Sequence, residues 1–176
     1  MENSVFIVSG IPGAGKTTVS RLLAQRLERS ACIESDRLEE MVRSGRVWPN
    51  EEPFDEAMRQ LRLRTKHCCL LADSFFEAGF TPIIDDVVIG FRLDHFLEDL
   101  TSRPIRFVLL TPRAEIVQQR DTNRSEKHVF ETWGHLDGNM RRETRRVGLW
   151  LETSEMTAEE TVEAILARQD EAILPD

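Results

Sequence analysis

Residues 10–17 hold the side chains whose types and spacing indicate the clearest chemistry. They read Gly-Ile-Pro-Gly-Ala-Gly-Lys-Thr and fill every fixed position of the spacing G-x-x-x-x-G-K-[ST]. Glycines at these positions let the backbone turn with its N–H groups aimed inward, which makes a nest for anions. We therefore predict that a nucleoside triphosphate binds here. The predicted contacts are Gly10, Ile11, Pro12, Gly13, Ala14, Gly15, Lys16, Thr17 and Thr18.

The surroundings of this loop agree with that prediction. Residues 5–8 form an apolar run typical of a strand, and residues 16–28 carry apolar side chains at helical spacing. A nest at a helix N-terminus favours phosphate groups. Lys16 would reach the outer phosphates as a catalytic cation, and the Thr17 hydroxyl would bind Mg²⁺. An ordinary glycine turn between a strand and a helix is the alternative, and the filled motif disfavours it.

Three aspartates follow predicted strands, namely Asp36, Asp85 and Asp86. In an open α/β sheet, ligands bind beyond the carboxyl ends of the strands. Carboxylates there can hold Mg²⁺ through its water shell or accept a proton from an attacking hydroxyl. We predict Asp85 as the metal residue, and Asp36 and Asp86 as substrate contacts. The alternative is that these residues cap helices or end turns, which Asp commonly does.

Further candidate residues lie in less regular stretches. Arg120 and Arg124 are four residues apart and would share a helix face, where guanidinium groups could stabilise a transferring phosphoryl group. A solvated face paired with acidic neighbours is the alternative. Trp48 could stack on a substrate or fill a local core. Arg37, beside Asp36, is also predicted to contact the substrate.

Composition limits the possible partners. The formal net charge of −8 argues against a broad grip on nucleic acid, which needs a positive surface. Arginines gather locally within residues 113–146, which suits a compact polyphosphate. The sequence contains no stretch of about 20 apolar residues, which is the length that a membrane-spanning helix needs. The absence of a leader pattern predicts a cytoplasmic protein, and the three cysteines fit no disulfide or zinc spacing.

Strand-like and helical patterns alternate along the chain, which is typical of βαβ units. Five strands and a phosphate loop predict a three-layer α/β/α sandwich, formed by one domain over residues 1–176 with a lid-like segment at about 120–146. The predicted strands are residues 5–8, 31–34, 82–84, 105–110 and 147–151. The predicted helices are residues 16–28, 38–43, 54–78, 91–100, 114–123, 136–146 and 158–169.

With these motifs in order, the chain resembles the small phosphate-loop kinases, including the gluconate, shikimate and adenylate kinases. The likeness rests on the loop, on Ser35-Asp36, on residues 83–87 (Ile-Ile-Asp-Asp-Val) and on Arg120-x-x-x-Arg124. It is strongest to the chloramphenicol phosphotransferase-like branch. The resemblance implies a five-stranded parallel sheet of order 2-3-1-4-5, Asp36 as the base, and both arginines in a mobile lid. It also implies that Arg120 and residues 153–156 lie against adenine.

Together these observations favour an ATP- and Mg²⁺-dependent phosphotransferase whose acceptor is a hydroxyl of a small molecule, for which an antibiotic is one candidate. Residues 39–55, which would shape the acceptor pocket, carry no substrate signature. A repair kinase acting on polynucleotide 5′ ends and a non-catalytic ATP-binding regulator are the alternatives. A GTP switch is disfavoured because the chain has no Asn-Lys-x-Asp guanine motif.

Overall fold

A single parallel sheet of five strands organises the chain. The computed structural model describes residues 3–122 and 134–175. The strands are β1 (Val5–Ser9), β2 (Ser30–Glu34), β3 (Thr81–Asp85), β4 (Ile105–Leu110) and β5 (Leu149–Leu151). They pair in parallel in the order β2-β3-β1-β4-β5. This confirms the predicted fold class and strand order.

Helices cover the sheet as two groups. The described helices are α1 (Lys16–Arg26), α2 (Ser35–Glu39), α3 (Phe54–Glu77), α4 (Arg92–Asp99), α5 (Ala114–Thr122), α6 (Leu136–Glu143) and α7 (Ala158–Ala167). Helix α1 packs with α7, and α3 packs with α2 and α4. A capping box opens α7, in which the Thr157 hydroxyl accepts from the Glu160 backbone N–H at 3.1 Å.

The central strands are buried on both faces, which explains their unbroken apolar sequences. Every residue of β1 and β4 is buried, as expected for parallel strands with helices on each side. Phe6 and Phe107, on neighbouring strands, are fully buried in the same core cluster as Phe96 from α4 and Leu23 from α1. The apolar periodicity therefore predicts the core well.

Several boundaries differ from the sequence prediction. Helix α2 starts directly after β2 and ends at Glu39, not at residue 43. Asp36 therefore lies inside its first turn, and the alternative in which Asp36 caps the helix is wrong because Glu34 holds the N-cap position. Strand β5 starts at Leu149, since Gly148 adopts a φ of +70°. Helix α6 ends where Thr144 turns extended.

The register brings three strand ends to one edge of the sheet. Val8 of β1 and Glu34 of β2 both lie opposite Asp85 of β3. The chain leaves β1 into the phosphate loop, leaves β2 into α2, and leaves β3 into Asp86. The fold thus gathers all three predicted chemical segments at the carboxyl edge, where ligands of open α/β sheets bind.

Gly148, directly before β5, should tolerate substitution by alanine poorly. An alanine Cβ at this position would lie 2.4 Å from the Phe107 carbonyl oxygen, whereas a Cβ at Gly45, with a similar φ of +74°, would meet nothing within 4 Å. Both substitutions carry left-handed backbone strain of about 1–3 kcal/mol. Gly148→Ala should additionally lose about 1–3 kcal/mol through overpacking. Urea unfolding of the two variants measures this difference, and equal losses would contradict the tight β4–β5 approach.

Candidate active site

The phosphate loop is a backbone cradle at the start of α1. Gly13 and Gly15 take φ values of +89° and +94°, which L side chains rarely adopt. Gly15 is the N-cap of α1 and makes no side-chain cap hydrogen bond. The loop closes on itself through the Ala14 N–H, which donates to the Ile11 carbonyl at 3.1 Å. Amides at the open end of a helix form an anion site.

Lys16 and Thr17 lie at the mouth of this cradle. The Lys16 ammonium donates to the Ile11 carbonyl at 3.2 Å, so it lies across the loop. The Thr17 hydroxyl donates to an Asp85 carboxylate oxygen at 2.6 Å. Burial raises the pKa of Asp85 above its ordinary value, although the Lys16 charge and the Thr17 hydrogen bond act to lower it. A cation bound beside Asp85 would therefore stabilise the charged form of this buried carboxylate.

The donor set fits Mg²⁺, which prefers hard oxygen ligands and keeps part of its water shell. Thr17 and Asp85 would hold the ion, with phosphate oxygens and water completing its coordination. Within residues 3–122 and 134–175, no group of three or more His, Cys, Asp or Glu side chains could hold a metal by itself. A metal ion held by Thr17 and Asp85 would therefore need further oxygen ligands from a bound phosphate or from water.

Asp86 behaves differently from its neighbour. It accepts hydrogen bonds from Ser35 Oγ at 2.8 Å, from Arg92 Nη2 at 2.6 Å and from Arg64 Nη2 at 3.3 Å. Burial would raise the pKa of Asp86, but the charges of Arg92 and Arg64, with the hydrogen bonds from Arg92 and Ser35, hold it at about 2. The Asp86 carboxylate thus makes its hydrogen bonds to protein groups, and its predicted contact with a substrate stays a prediction.

A cavity of about 440 Å³ extends from the phosphate loop towards α2 and α3. We call it the acceptor cavity. Asp36 and Trp48, both predicted as substrate contacts, line it. Sequence reasoning missed Glu39, Arg64 and Arg92, which line it as well. Arg64 was detectable in principle, because it lies on the buried face of α3 together with Cys68, where an arginine needs a partner.

A second cavity, of about 340 Å³, lies on the other side of the loop; we call it the base cavity. Arg120 lines it and donates to the Thr153 carbonyl at 3.0 Å, which ties α5 to residues 153–156. Met156 also lines it. The two cavities share Gly13, Gly15 and Thr18 of the loop.

One predicted site residue, Arg37, does not join the site in this structure. Arg37 is exposed and pairs with Glu40 at 3.0 Å, and it does not line the acceptor cavity. Arg124 falls outside the described residues. In the predicted basic cluster, Arg141 pairs with Asp137 at 3.0 Å and Arg145 with Asp94 at 2.8 Å. Both arginines are exposed, and such pairs are typical of a solvated helix face.

Residues 7–146 match the family described as AAA domain. The chain belongs to the AAA domain family. Solved structures share its fold over almost the full length. A sugar kinase from Janibacter sp. HTCC2649 matches with a TM-score of 0.71 at 17% identity, covering 97% of this chain and 96% of that one.

Two further structures resemble the chain. The tunicamycin resistance protein of Deinococcus radiodurans matches with a TM-score of 0.69 at 17% identity, covering 99% of this chain and 100% of that one. A shikimate kinase from Acinetobacter baumannii, in complex with shikimate, matches with a TM-score of 0.61 at 23% identity, covering 94% and 92%. The resemblance to small phosphate-loop kinases is therefore confirmed for the fold of this AAA domain protein. No curated protein sequence matches the chain.

Among the described residues, no helix is both long and apolar enough to span a bilayer.

Asp86→Asn should destabilise this AAA domain strongly, because Arg64 and Arg92 would lose a buried counter-charge. Breaking a buried pair by removing one partner costs about 3–5 kcal/mol. Asp99→Asn, which removes a more exposed partner from Arg62, is the matched control and should cost about 1 kcal/mol or less. Chemical denaturation at pH 7 measures both losses. Similar losses would show that the Asp86 pairs contribute no more than a surface pair.

The Asp86 contribution should also depend on pH. Its folded pKa of about 2 lies below the unfolded value of about 3.9, so its stabilisation is fully present above about pH 4. It is lost as the pH falls from about 4 through 2. The difference in unfolding free energy between wild type and Asp86→Asn should therefore shrink over that window. A difference that stays constant from pH 5 to pH 2 would contradict this account.

Proposed function

We propose that this AAA domain protein is an ATP- and Mg²⁺-dependent phosphotransferase that phosphorylates a hydroxyl of a small molecule. The observation that carries the proposal is the pair of cavities on either side of one phosphate loop, with Gly13, Gly15 and Thr18 common to both. A triphosphate in the loop could keep its base in one cavity while its terminal phosphate meets a second ligand in the other. A protein that only binds nucleotide does not need the acceptor cavity.

The base cavity suits the purine end of ATP. Arg120 would lie against the adenine or the phosphates, and the Thr153 and Ser154 carbonyls that it contacts would lie at the edge of the base. The N–H groups of the loop and Lys16 would bind the phosphate oxygens. Thr17, and Asp85 through water, would hold Mg²⁺, which when bound would supply positive charge against the charge that develops on the phosphates.

The acceptor cavity would present a hydroxyl to the terminal phosphate. Asp36 would accept the proton of the acceptor hydroxyl while the oxygen of that hydroxyl forms a bond to the γ-phosphorus. The bond from the γ-phosphorus to the β–γ bridging oxygen would break, which releases ADP. Lys16 and the guanidinium groups of Arg120 and Arg124 would stabilise charge on the transferring oxygens. Holding both reactants in line supplies most of the rate gain.

The charge distribution supports a small acceptor over nucleic acid. Arg141 already pairs with Asp137, and Arg145 with Asp94. We also infer a cytoplasmic location, where ATP is available. An acceptor of the antibiotic class remains part of the proposal because the acceptor cavity is large and partly apolar.

Asp36→Asn should separate binding from transfer. Losing a general base typically costs about 10²–10⁴-fold in rate, whereas ATP affinity should change little because Asp36 is not part of the phosphate loop. Glu40→Gln, at the C-cap of the same short helix and paired only with Arg37 among the described partners, is the matched control and should keep wild-type rates. Calorimetry with Mg²⁺ and ATP measures binding, and labelled ATP measures transfer.

The transfer assay should cover antibiotics, sugars, nucleosides, cofactor precursors and an oligonucleotide. A phosphorylated small molecule supports the proposal, and unchanged turnover in Asp36→Asn would remove the proposed role of that residue. Product from the oligonucleotide alone would favour the polynucleotide kinase alternative. ATP binding with no product from any acceptor would favour a regulatory protein.

A further inference from the structure

The acceptor cavity has an extended apolar wall. Side chains from the loop before α3, from α3 itself, from the segment after β3 and from α6 form it. These residues are Trp48, Met58, Leu61, Ile89, Phe91 and Leu136. Phe91 is 61% exposed, so much of its ring is open to solvent at the cavity, although it also makes an edge contact with the His95 ring at 5.4 Å. A ligand with its own apolar ring would gain binding free energy by burying these apolar surfaces.

The charged groups at the same cavity are predominantly carboxylates. Five carboxylates line it, namely Asp36, Glu39, Asp85, Asp86 and Glu143, against three cations, namely Lys16, Arg64 and Arg92. Asp85 and Lys16 belong to the phosphate and metal end. The remaining acceptor end therefore holds four acidic side chains and two guanidinium groups.

Both of those guanidinium groups are already neutralised by the protein. Arg64 lies between Glu39 and Asp86, and its side chain is only 11% exposed. Arg92 pairs with Asp86 at 2.6 Å and also bonds Thr65 at 3.1 Å. A ligand carboxylate or phosphate would have to displace these partners. Arg46 lies over the Trp48 ring at 4.7 Å, but it does not line the cavity.

Building on the proposed function, we propose that the acceptor is an alcohol without negative charge that carries an aromatic or aliphatic ring system. The ring packs on the apolar wall and the hydroxyl faces Asp36. A neutral or cationic substituent is accepted near Glu143, whose described partner is the exposed Arg142 at 3.3 Å. An anionic acceptor is rejected, because like charges at close range oppose binding and both guanidinium groups that line the cavity in the described part of the chain already pair with carboxylates.

A matched series of small probes tests this class directly. The probes are 3-phenyl-1,2-propanediol (neutral), 2-amino-3-phenyl-1-propanol (cationic), 3-phenyllactate (anionic) and sorbitol, which has no apolar ring. Each is titrated by ligand-observed NMR into the full chain with Mg²⁺ and a non-hydrolysable ATP analogue. The neutral and cationic ring probes should bind about tenfold or more tightly than the other two. Equal or tighter binding of 3-phenyllactate or sorbitol, or no binding of any ring probe, overturns the proposal.

A charge variant tests the cause of the selectivity. Glu39→Gln removes one partner of Arg64, so the affinity of 3-phenyllactate relative to the diol should rise about tenfold. Glu163→Gln, which removes a surface partner of Arg26 far from the site, should leave that ratio unchanged. An unchanged ratio in Glu39→Gln would show that the paired arginines do not exclude anions.

The same samples with ATP separate the two proposals. Ring probes that bind but yield no phosphorylated product by ³¹P NMR would remove the phosphotransferase and leave the ligand class standing. Phosphorylation of 3-phenyllactate or sorbitol in preference to the ring alcohols would keep the phosphotransferase and overturn the ligand class.

Discussion

The buried carboxylate of Asp86 is the constraint on which the acceptor side of this protein depends. It joins four separate elements, since it follows β3, accepts from Ser35 at the start of α2, and pairs with Arg64 of α3 and Arg92 of α4. Charges at this depth persist only when they are paired and hydrogen-bonded. The positions of the three helices around the acceptor cavity are therefore tied to one side chain.

Asp85 and Asp86 are adjacent, yet they serve opposite sides of the site. Asp85 is paired in register with Val8 at the end of β1, and its carboxylate faces Thr17 of the phosphate loop. Asp86 instead turns to the helices that form the acceptor cavity. Successive residues at the end of a strand point in opposite directions, so two neighbouring carboxylates can organise the donor side and the acceptor side. This explains why two like charges can follow one another here without sharing a partner.

The sequence was sufficient to predict the loop, the strands and the core, because each depends on local pattern. The glycine spacing, the apolar runs of β1 and β4, and the capping box at Thr157 are all short-range signals. Strand order came through the family resemblance, which no local pattern encodes. The pairing of Asp86 with Arg64 and Arg92 could not be predicted from local sequence. These arginines lie 22 and 6 positions from Asp86, and tertiary packing brings them together. The outward pairing of Arg37 with Glu40 likewise depends on where α2 starts, and its predicted start was three residues too late.

The ion pairs of Asp86 also bear on how Asp36 could act. Replacing a buried ion pair by apolar groups is often neutral or stabilising, so stability alone is a weak reason to keep two arginines there. Asp86 and Glu39 hold the Arg64 guanidinium, and among the described residues no guanidinium donates to the Asp36 carboxylate. An arginine bound to Asp36 would occupy the oxygen that we propose accepts the hydroxyl proton. By holding both guanidinium groups, Asp86 keeps the Asp36 oxygens open to the acceptor cavity and removes from that cavity the charge that would attract anions.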